Sequence, residues 1–306
     1  MPNYGIVDLG SNTIRLCVYC VNTKSNVKKQ PNIKTLLDHR LVAGLASFIE
    51  DGKISNEGIN RAVSCLKDHS KSLAFFKCQK IAIFATAVLR NCTNSKEAIS
   101  KIESDTGIKI DLLSADNEAR LGFIGAKFSN KLDNGVLLDI GGGSSELSRI
   151  ENADILDTFS IPIGSLTCFA NNVKSILPSK KETANLKDYV LRTIDNHAQV
   201  NSFKCKNMFG IGGGTRAAFK VYAGLFNNNN KVSSLNIKQI DEILDYAQKQ
   251  PDEFAHRILK ICPDRIHTFI PACIILREVF VALEADQISS CKYGLREGYL
   301  LDKMLG

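Results

Sequence analysis

The sequence predicts an α/β protein of two related domains. A glycine loop after a short apolar run occurs twice, as DLGSNT from Asp8 to Thr13 and as DIGGGSS from Asp139 to Ser145. Each run, Tyr4 to Val7 and Val136 to Leu138, reads as a buried strand, so an acid and a glycine turn sit at each strand end. At 306 residues the chain also exceeds one compact core. The boundary is expected near residue 124, giving a first domain of 1–124 plus about 295–306 and a second of 125–294.

The elements follow in order. Ile14 to Val21 reads as a second strand, so the chain opens on a hairpin turning through Gly10 to Thr13 rather than on a strand, loop and helix. Ile59, Ala62, Val63, Leu66, Leu73 and Phe76 keep helical spacing over Asn56 to Phe76. Lys80 to Ala85 is a strand, and TAVLRN after it carries Arg90 into a helix. Ile108 to Leu113 is another, followed by a helix capped by Ser114 or Asp116 with Glu118 in its first turns. Val136 to Leu138 should pair with Glu146 to Ile150. Then come SIPIGS from Ser160 to Ser165, a helix near Lys180 to Asn196, and a strand, loop and helix from Gly210 to Tyr222. Asn227 to Asn230 reads as a loop. Helices follow around Ile237 to Gln248, Phe254 to Ile261 and Pro271 to Leu283, and Tyr293 to Leu305 closes the chain as an amphipathic helix. Domain closure would suit a cleft that excludes water, and the glycines near Gly122 and Gly125 are the one hinge signal in the sequence.

Composition narrows the function. The chain is 44% hydrophobic and 23% charged, contains no run of apolar residues long enough for a membrane span, and opens without a signal-peptide pattern. A cytoplasmic protein without a membrane partner is expected. Ten cysteines in that setting read as free, mostly buried thiols. Cys17 and Cys20 form one CxxC pair, but it falls in an apolar strand with no second pair to complete a zinc site. The five histidines lack metal-ligand spacing and read as solvated or packed. A net charge of +7 favours a polyanion through long-range steering. Short runs such as Lys28-Lys29 and Lys180-Lys181, without interleaved aromatics, read as solvated surface, so no sequence-specific nucleic acid is expected.

Two loops facing one another would clamp phosphate. Glycines let backbone N–H groups approach an anion, Ser11, Ser144 and Ser145 add hydroxyl donors, and Asp8 and Asp139 can each hold a divalent cation directly or through water. Rival loops fail: from Gly210 the dinucleotide frame meets Thr215 where glycine is needed, and no P-loop run occurs. Glu118 and Glu146 are candidates to orient and deprotonate water, and Arg90 to neutralise transition-state charge.

The ordered motifs GIVDLGSNTIRL, FATAVLRN, LLSADNEARLGFIGA, LLDIGGGSSEL, IPIGS, FGIGGGTRAAF, PDRIHTFIPACIIL and YGLREGYL resemble the exopolyphosphatase and guanosine pentaphosphate phosphatase (Ppx/GppA) group of the actin-like superfamily, over almost the whole length. The resemblance implies two ribonuclease H-like (actin-like) domains with an interdomain active-site cleft. Asp8, Gly10, Ser11 and Asn12 match its first phosphate loop, and Asp139, Gly141, Gly142, Gly143, Ser144, Ser145 and Glu146 its second. Gly212, Gly213, Gly214 and Thr215 match a third loop, Arg90 and Arg265 the phosphate-contacting basic positions, and Glu118 the general base. Mg2+ would sit near Asp139 and Glu146, with Asp8 as a further carboxylate. Asn117, where the family commonly has a second Glu, Ala272 and His267 depart from the pattern, and none of them replaces the base.

What this implies is Mg2+-dependent removal of orthophosphate from the end of inorganic polyphosphate by a two-domain short form, since the chain stops before the helical domain of longer members. Guanosine pentaphosphate is the alternative substrate, and a non-catalytic phosphate or nucleotide sensor is the alternative class. A sugar kinase would place an Asp base where this chain offers Glu118. The sequence does not decide between monomer and homodimer.

Overall fold

A computed structural model of the chain describes residues 1–22 and 31–306; Lys28 and Lys29 lie outside them. The chain divides into two compact units, Met1–Glu118 with Tyr299–Gly306, and Ala119–Gly298. It leaves the first unit inside a helix, at Glu118, rather than near residue 124.

In the first unit, β1 (Asn3–Leu9) pairs antiparallel with β2 (Thr13–Asn22), and β2 with β3 (Asn32–Val42). A short ribbon, β4 (Ile49–Glu50) and β5 (Lys53–Ile54), leads into α1 (Asn56–Phe75). The Ser55 side chain caps α1 by accepting from Gly58 N–H at 3.2 Å, and Ile59, Ala62, Val63, Leu66 and Leu73 form the buried face that the spacing predicts. Then follow β6 (Lys80–Ala85), α2 (Ala87–Arg90), α3 (Ser95–Thr106), β7 (Ile110–Leu112) and α4 (Ala115–Ser129). The sheet order is β3-β2-β1-β6-β7, with β1, β6 and β7 parallel.

The second unit repeats this plan. β8 (Gly135–Ile140), β9 (Ser145–Glu151) and β10 (Asp154–Ile161) form an antiparallel meander, followed by α5 (Ser165–Asn172) and α6 (Lys180–Asp195). β11 (Asn207–Ile211), α7 (Gly212–Phe226), β12 (Ser234–Leu235), α8 (Ile237–Lys249), α9 (Pro251–Ile261), α10 (Phe269–Ala282) and β13 (Gln287–Ser290) complete the order β10-β9-β8-β11-β13-β12, with β8, β11 and β13 parallel. Three antiparallel strands followed by two parallel ones, twice in one chain, are the two ribonuclease H-like domains that were expected.

The chain end differs from expectation. α11 (Leu295–Tyr299) passes directly into a π-helical turn at Leu300–Met304, and Tyr293 to Leu300 are buried without interruption, so this segment is a core element and not an amphipathic helix. Tyr299 stacks on Phe84 with ring centroids 5.0 Å apart and donates its hydroxyl to Asp111 at 3.0 Å; burial, then the Asp111 carboxylate, push its phenol above the ordinary range. Gly122 and Gly125 are close-packing residues. A Cβ on Gly122 would lie 2.9 Å from Ile211 Cδ1, and one on Gly125 would collide with the Gly294 carbonyl.

The thiols follow the expected pattern. All ten cysteines are free, and Cys17, Cys65, Cys92, Cys168, Cys262, Cys273 and Cys291 are buried. His69 is packed under the first hairpin, where Nε2 donates to the Ile14 carbonyl at 3.1 Å and buried Nδ1 has no partner among the described residues. Burial pushes its pKa below the ordinary imidazole value, with His39 adding to the shift and the Ile14 bond and Asp68 opposing it. The native state therefore binds fewer protons than the unfolded chain below about pH 6.5, so stability is full above that pH and is lost as pH falls toward the depressed value. We expect unfolding free energy to drop between pH 6.5 and 5 with a slope of up to about 1.4 kcal/mol per pH unit from this residue. Denaturant melts of wild type and His69→Gln should show a shallower slope in the variant; equal slopes would refute the assignment.

Candidate active site

The first glycine loop joins β1 to β2. Gly10 N–H donates to the Thr13 carbonyl at 3.2 Å, closing the tight turn. The loop carbonyls turn toward the following segment: Asn12 O accepts from Ala43 and Gly44 at 3.0 and 2.9 Å, and Ser11 O from Ala46 at 3.0 Å.

The second loop is built the same way. Gly141 N–H donates to the Ser144 carbonyl at 2.9 Å. Here the first turn of α5 is the strap, with Ser165 N–H on Gly141 O at 2.9 Å and Leu166 and Thr167 on Gly142 O at 2.9 and 3.0 Å. The Ser165 hydroxyl adds a bond to Gly141 O at 3.1 Å. Gly164 sets the approach, because a Cβ there would run into the backbone of Gly142 and Gly143. Tying the carbonyls back in this way turns a loop's amides outward, the arrangement that binds an anion. The strap is a functional feature that the sequence reading missed; a glycine and serine just before a helix, within IPIGS, were its visible trace.

Within the first unit, β1, β6 and β7 run parallel, with Leu9 beside Ala85 and Ala85 beside Leu112. The glycine loop, Arg90 on α2 and Glu118 on α4 therefore leave the same sheet edge, the carboxyl ends where open α/β sheets hold ligands. Ser114 proves to be the cap of α4, its Oγ accepting from Asn117 N–H at 3.2 Å. Arg90 Nη1 donates to the Leu113 carbonyl at 3.0 Å and to Glu118 Oε2 at 2.7 Å. Both side chains are mostly enclosed, at 19% and 13% exposure, so the guanidinium fixes the direction of a carboxylate that solvent still reaches.

Within the second unit, Asp139 and Glu146 are direct cross-strand partners on β8 and β9 and so share a face. Glu146 is buried and accepts from Ser144 Oγ at 2.5 Å and Ser160 Oγ at 3.2 Å. Gly212, at φ +78°, begins α7 against Asp139, and a Cβ there would occupy the space beside Asp139 Oδ1. A Cβ on Gly213 would meet the Arg265 guanidinium, so Arg265 packs on the third loop. Ala272 packs on Gly214. His267 meets the Phe169 ring edge-on at 5.2 Å; burial, then the Arg265 charge, lower its pKa.

One assigned phosphate donor is occupied otherwise. Ser145 is fully buried and gives its hydroxyl to the Ile163 carbonyl at 2.7 Å, holding the IPIGS segment to the hairpin. Thr215 is also fully buried, with its methyl group against Gly210, while its Oγ1 has no partner among the described residues.

The sequence profile of the Ppx/GppA phosphatase family matches residues 33–306. The chain belongs to this family. Among similar proteins, exopolyphosphatase 1 of Mycobacterium leprae is 23% identical over 308 residues, spanning 98% of this chain and 89% of that one. A bifunctional 3-dehydroquinate synthase/phosphatase of Fusobacterium nucleatum is 29% identical over 294 residues, spanning 89% of this chain and 42% of that protein. An exopolyphosphatase from Cytophaga hutchinsonii superposes with a TM-score of 0.80 at 20% identity, covering 98% of this chain and 96% of its own. The Ppx/GppA family member of Aquifex aeolicus gives 0.76 at 20%, covering 99% and 98%. These likenesses show that the chain has the fold of the Ppx/GppA family. No helix of the described residues is long and apolar enough to cross a membrane.

Proposed function

We propose that this chain hydrolyses the terminal phosphoanhydride bond of inorganic polyphosphate and releases orthophosphate. The observation that carries the reading is the glycine loop built twice, each closed by its glycine amide and strapped by backbone amides on two of its carbonyls, together with a carboxylate aimed by an arginine. Membership of a phosphatase family and similarity to proteins named exopolyphosphatase support it.

In this mechanism each glycine loop is an amide donor suited to phosphoryl oxygens, and within the second unit Arg265 adds positive charge at the third loop. Glu118, held by Arg90, orients a water molecule and takes its proton as the oxygen attacks the terminal phosphorus in line; the shortened chain leaves. Asp139 and Glu146 offer hard oxygen donors suited to Mg2+, and the absence of a side chain at Gly212 lets the start of α7 approach Asp139 closely. The described residues contain no cluster of three or more His, Cys, Asp and Glu side chains that could hold a metal ion, so substrate oxygens and water would complete the shell, as is usual for Mg2+. Bound there, the ion would neutralise charge on the transferred phosphoryl group.

The test is orthophosphate release by wild-type protein from long-chain polyphosphate and, separately, from guanosine pentaphosphate, with Mg2+. Faster release from polyphosphate is expected, with an apparent KM that rises as salt screens the substrate. Preference for the nucleotide would transfer the same machinery to that substrate, and no release from either would leave a phosphate sensor.

A further inference from the structure

The second unit carries a pocket of about 330 Å3, at the lower end of the small-molecule range, at the opposite end of its sheet from the glycine loops. Its wall includes Arg149 and Glu151 from β9 and Lys204 and Lys206 from the segment entering β11. Gly135 and Asn207 floor it at the amino ends of β8 and β11. Asp139 lies four residues along β8, roughly 13 Å away at the usual strand rise, so this pocket is separate from the phosphate loops.

Three cations face one carboxylate in the lining. Lys204 pairs with Glu284 at 2.5 Å and Lys206 with Asp286 at 3.8 Å, but these are exposed pairs of the kind that hold a lysine weakly. Arg149 is held more firmly. Its Nη1 donates to the Ser202 carbonyl at 3.1 Å, while its Nε is buried with no partner among the described residues. That nitrogen is sealed from solvent, so a ligand in the pocket would meet the guanidinium through its other nitrogens. An oxyanion beside this preset guanidinium would supply charge and acceptors together. The pocket is built for binding rather than chemistry, because burial pushes the Cys205 thiol that lines it up to about 11, leaving no nucleophile at neutral pH.

We propose that this pocket is a second anion site, taking a compact, multiply charged phosphate group. The site stands on its own residues and does not depend on the catalytic assignment. Such a group has two sources, a free small phosphate compound or the far part of a polyphosphate chain.

The experiment is calorimetric titration of Glu118→Gln protein with inorganic pyrophosphate in metal-free buffer, with and without the added pair Lys204→Gln and Lys206→Gln. Both lysines are exposed, and a thermal melt confirms that the fold is kept. One binding equivalent should disappear, or weaken at least tenfold, in the lysine variant; an unchanged isotherm overturns the proposal. Arg149→Lys should weaken the same equivalent. With Glu118 intact, a KM that rises in the lysine variant for long polyphosphate but not for short chains identifies the polymer as the occupant. Unchanged KM values alongside the lost equivalent identify a free phosphate compound.

Discussion

Glu118→Gln protein is expected to release orthophosphate at least about a hundredfold more slowly than wild type, with the midpoint of thermal unfolding within a degree or so. A positioned general base contributes roughly a hundred- to ten-thousand-fold, about 3 to 5 kcal/mol of barrier. The substitution removes the basic oxygen and little else, because the amide oxygen of Gln can still accept from Arg90 Nη1, and Arg90 keeps its second bond, to the Leu113 carbonyl. Initial-rate kinetics should therefore show a fall in kcat with KM nearly unchanged, the mark of a group acting only in the transition state. A variant that keeps a third of wild-type turnover would remove Glu118 from the role of base.

Gly164→Ala should be almost as damaging for a different reason. The added methyl group has nowhere to go, since its contacts are backbone atoms of Gly142 and Gly143 rather than a side chain that can rotate away. Either α5 moves off the second loop, breaking the amide bonds from Ser165, Leu166 and Thr167, or the loop itself shifts. A displacement on the order of 1 Å at a positioning group can lower the rate about a hundredfold. We expect that loss in kcat/KM together with a destabilisation of roughly 1–3 kcal/mol in denaturant melts. Ser165→Ala is the graded control: it removes one hydroxyl bond, leaves the three amide straps, and should cost about 1 kcal/mol or less. Full activity in the alanine variant at position 164 would mean that the strap does not set the loop.

The parts of the fold legible in the sequence are those where burial and turn chemistry coincide. β1, β6 and β8 are apolar runs ending in a loop or cap signal, and β6 falls at Lys80–Ala85 as expected. β3 and β10 are sheet edges, β3 largely exposed and β10 mostly half-buried, so neither Asn32–Val42 nor Asp154–Ile161 presents one clearly buried face. α3 buries only Ala98 and Ile102, too sparse a stripe to read, and β13 has a single apolar residue in QISS. β7 was expected over Ile108 to Leu113 but spans only Ile110–Leu112, because its ladder to β6 extends over just three residues.

The site divides on similar lines. Glycine loops announce themselves locally, since the turn and the close approach of an anion require the same residues. The Arg90–Glu118 bond joins residues 28 apart in the chain and exists because β6 and β7 are parallel neighbours, which residue spacing does not reveal. Ser144 and Ser145 are adjacent and chemically alike, yet one bonds the Glu146 carboxylate and the other a backbone carbonyl. Ser145 is the first residue of β9 and Ser144 the last of the loop before it, so their different partners are set by where the loop meets the strand.

The central claim is that water, activated at Glu118, attacks the terminal phosphorus. Release of the first orthophosphate per chain, in a single turnover of wild-type protein on long-chain polyphosphate in oxygen-18-labelled water with Mg2+, tests it by mass spectrometry of that orthophosphate. The mechanism predicts a single labelled oxygen in the orthophosphate released. Unlabelled orthophosphate, or none above the Glu118→Gln blank, would contradict it.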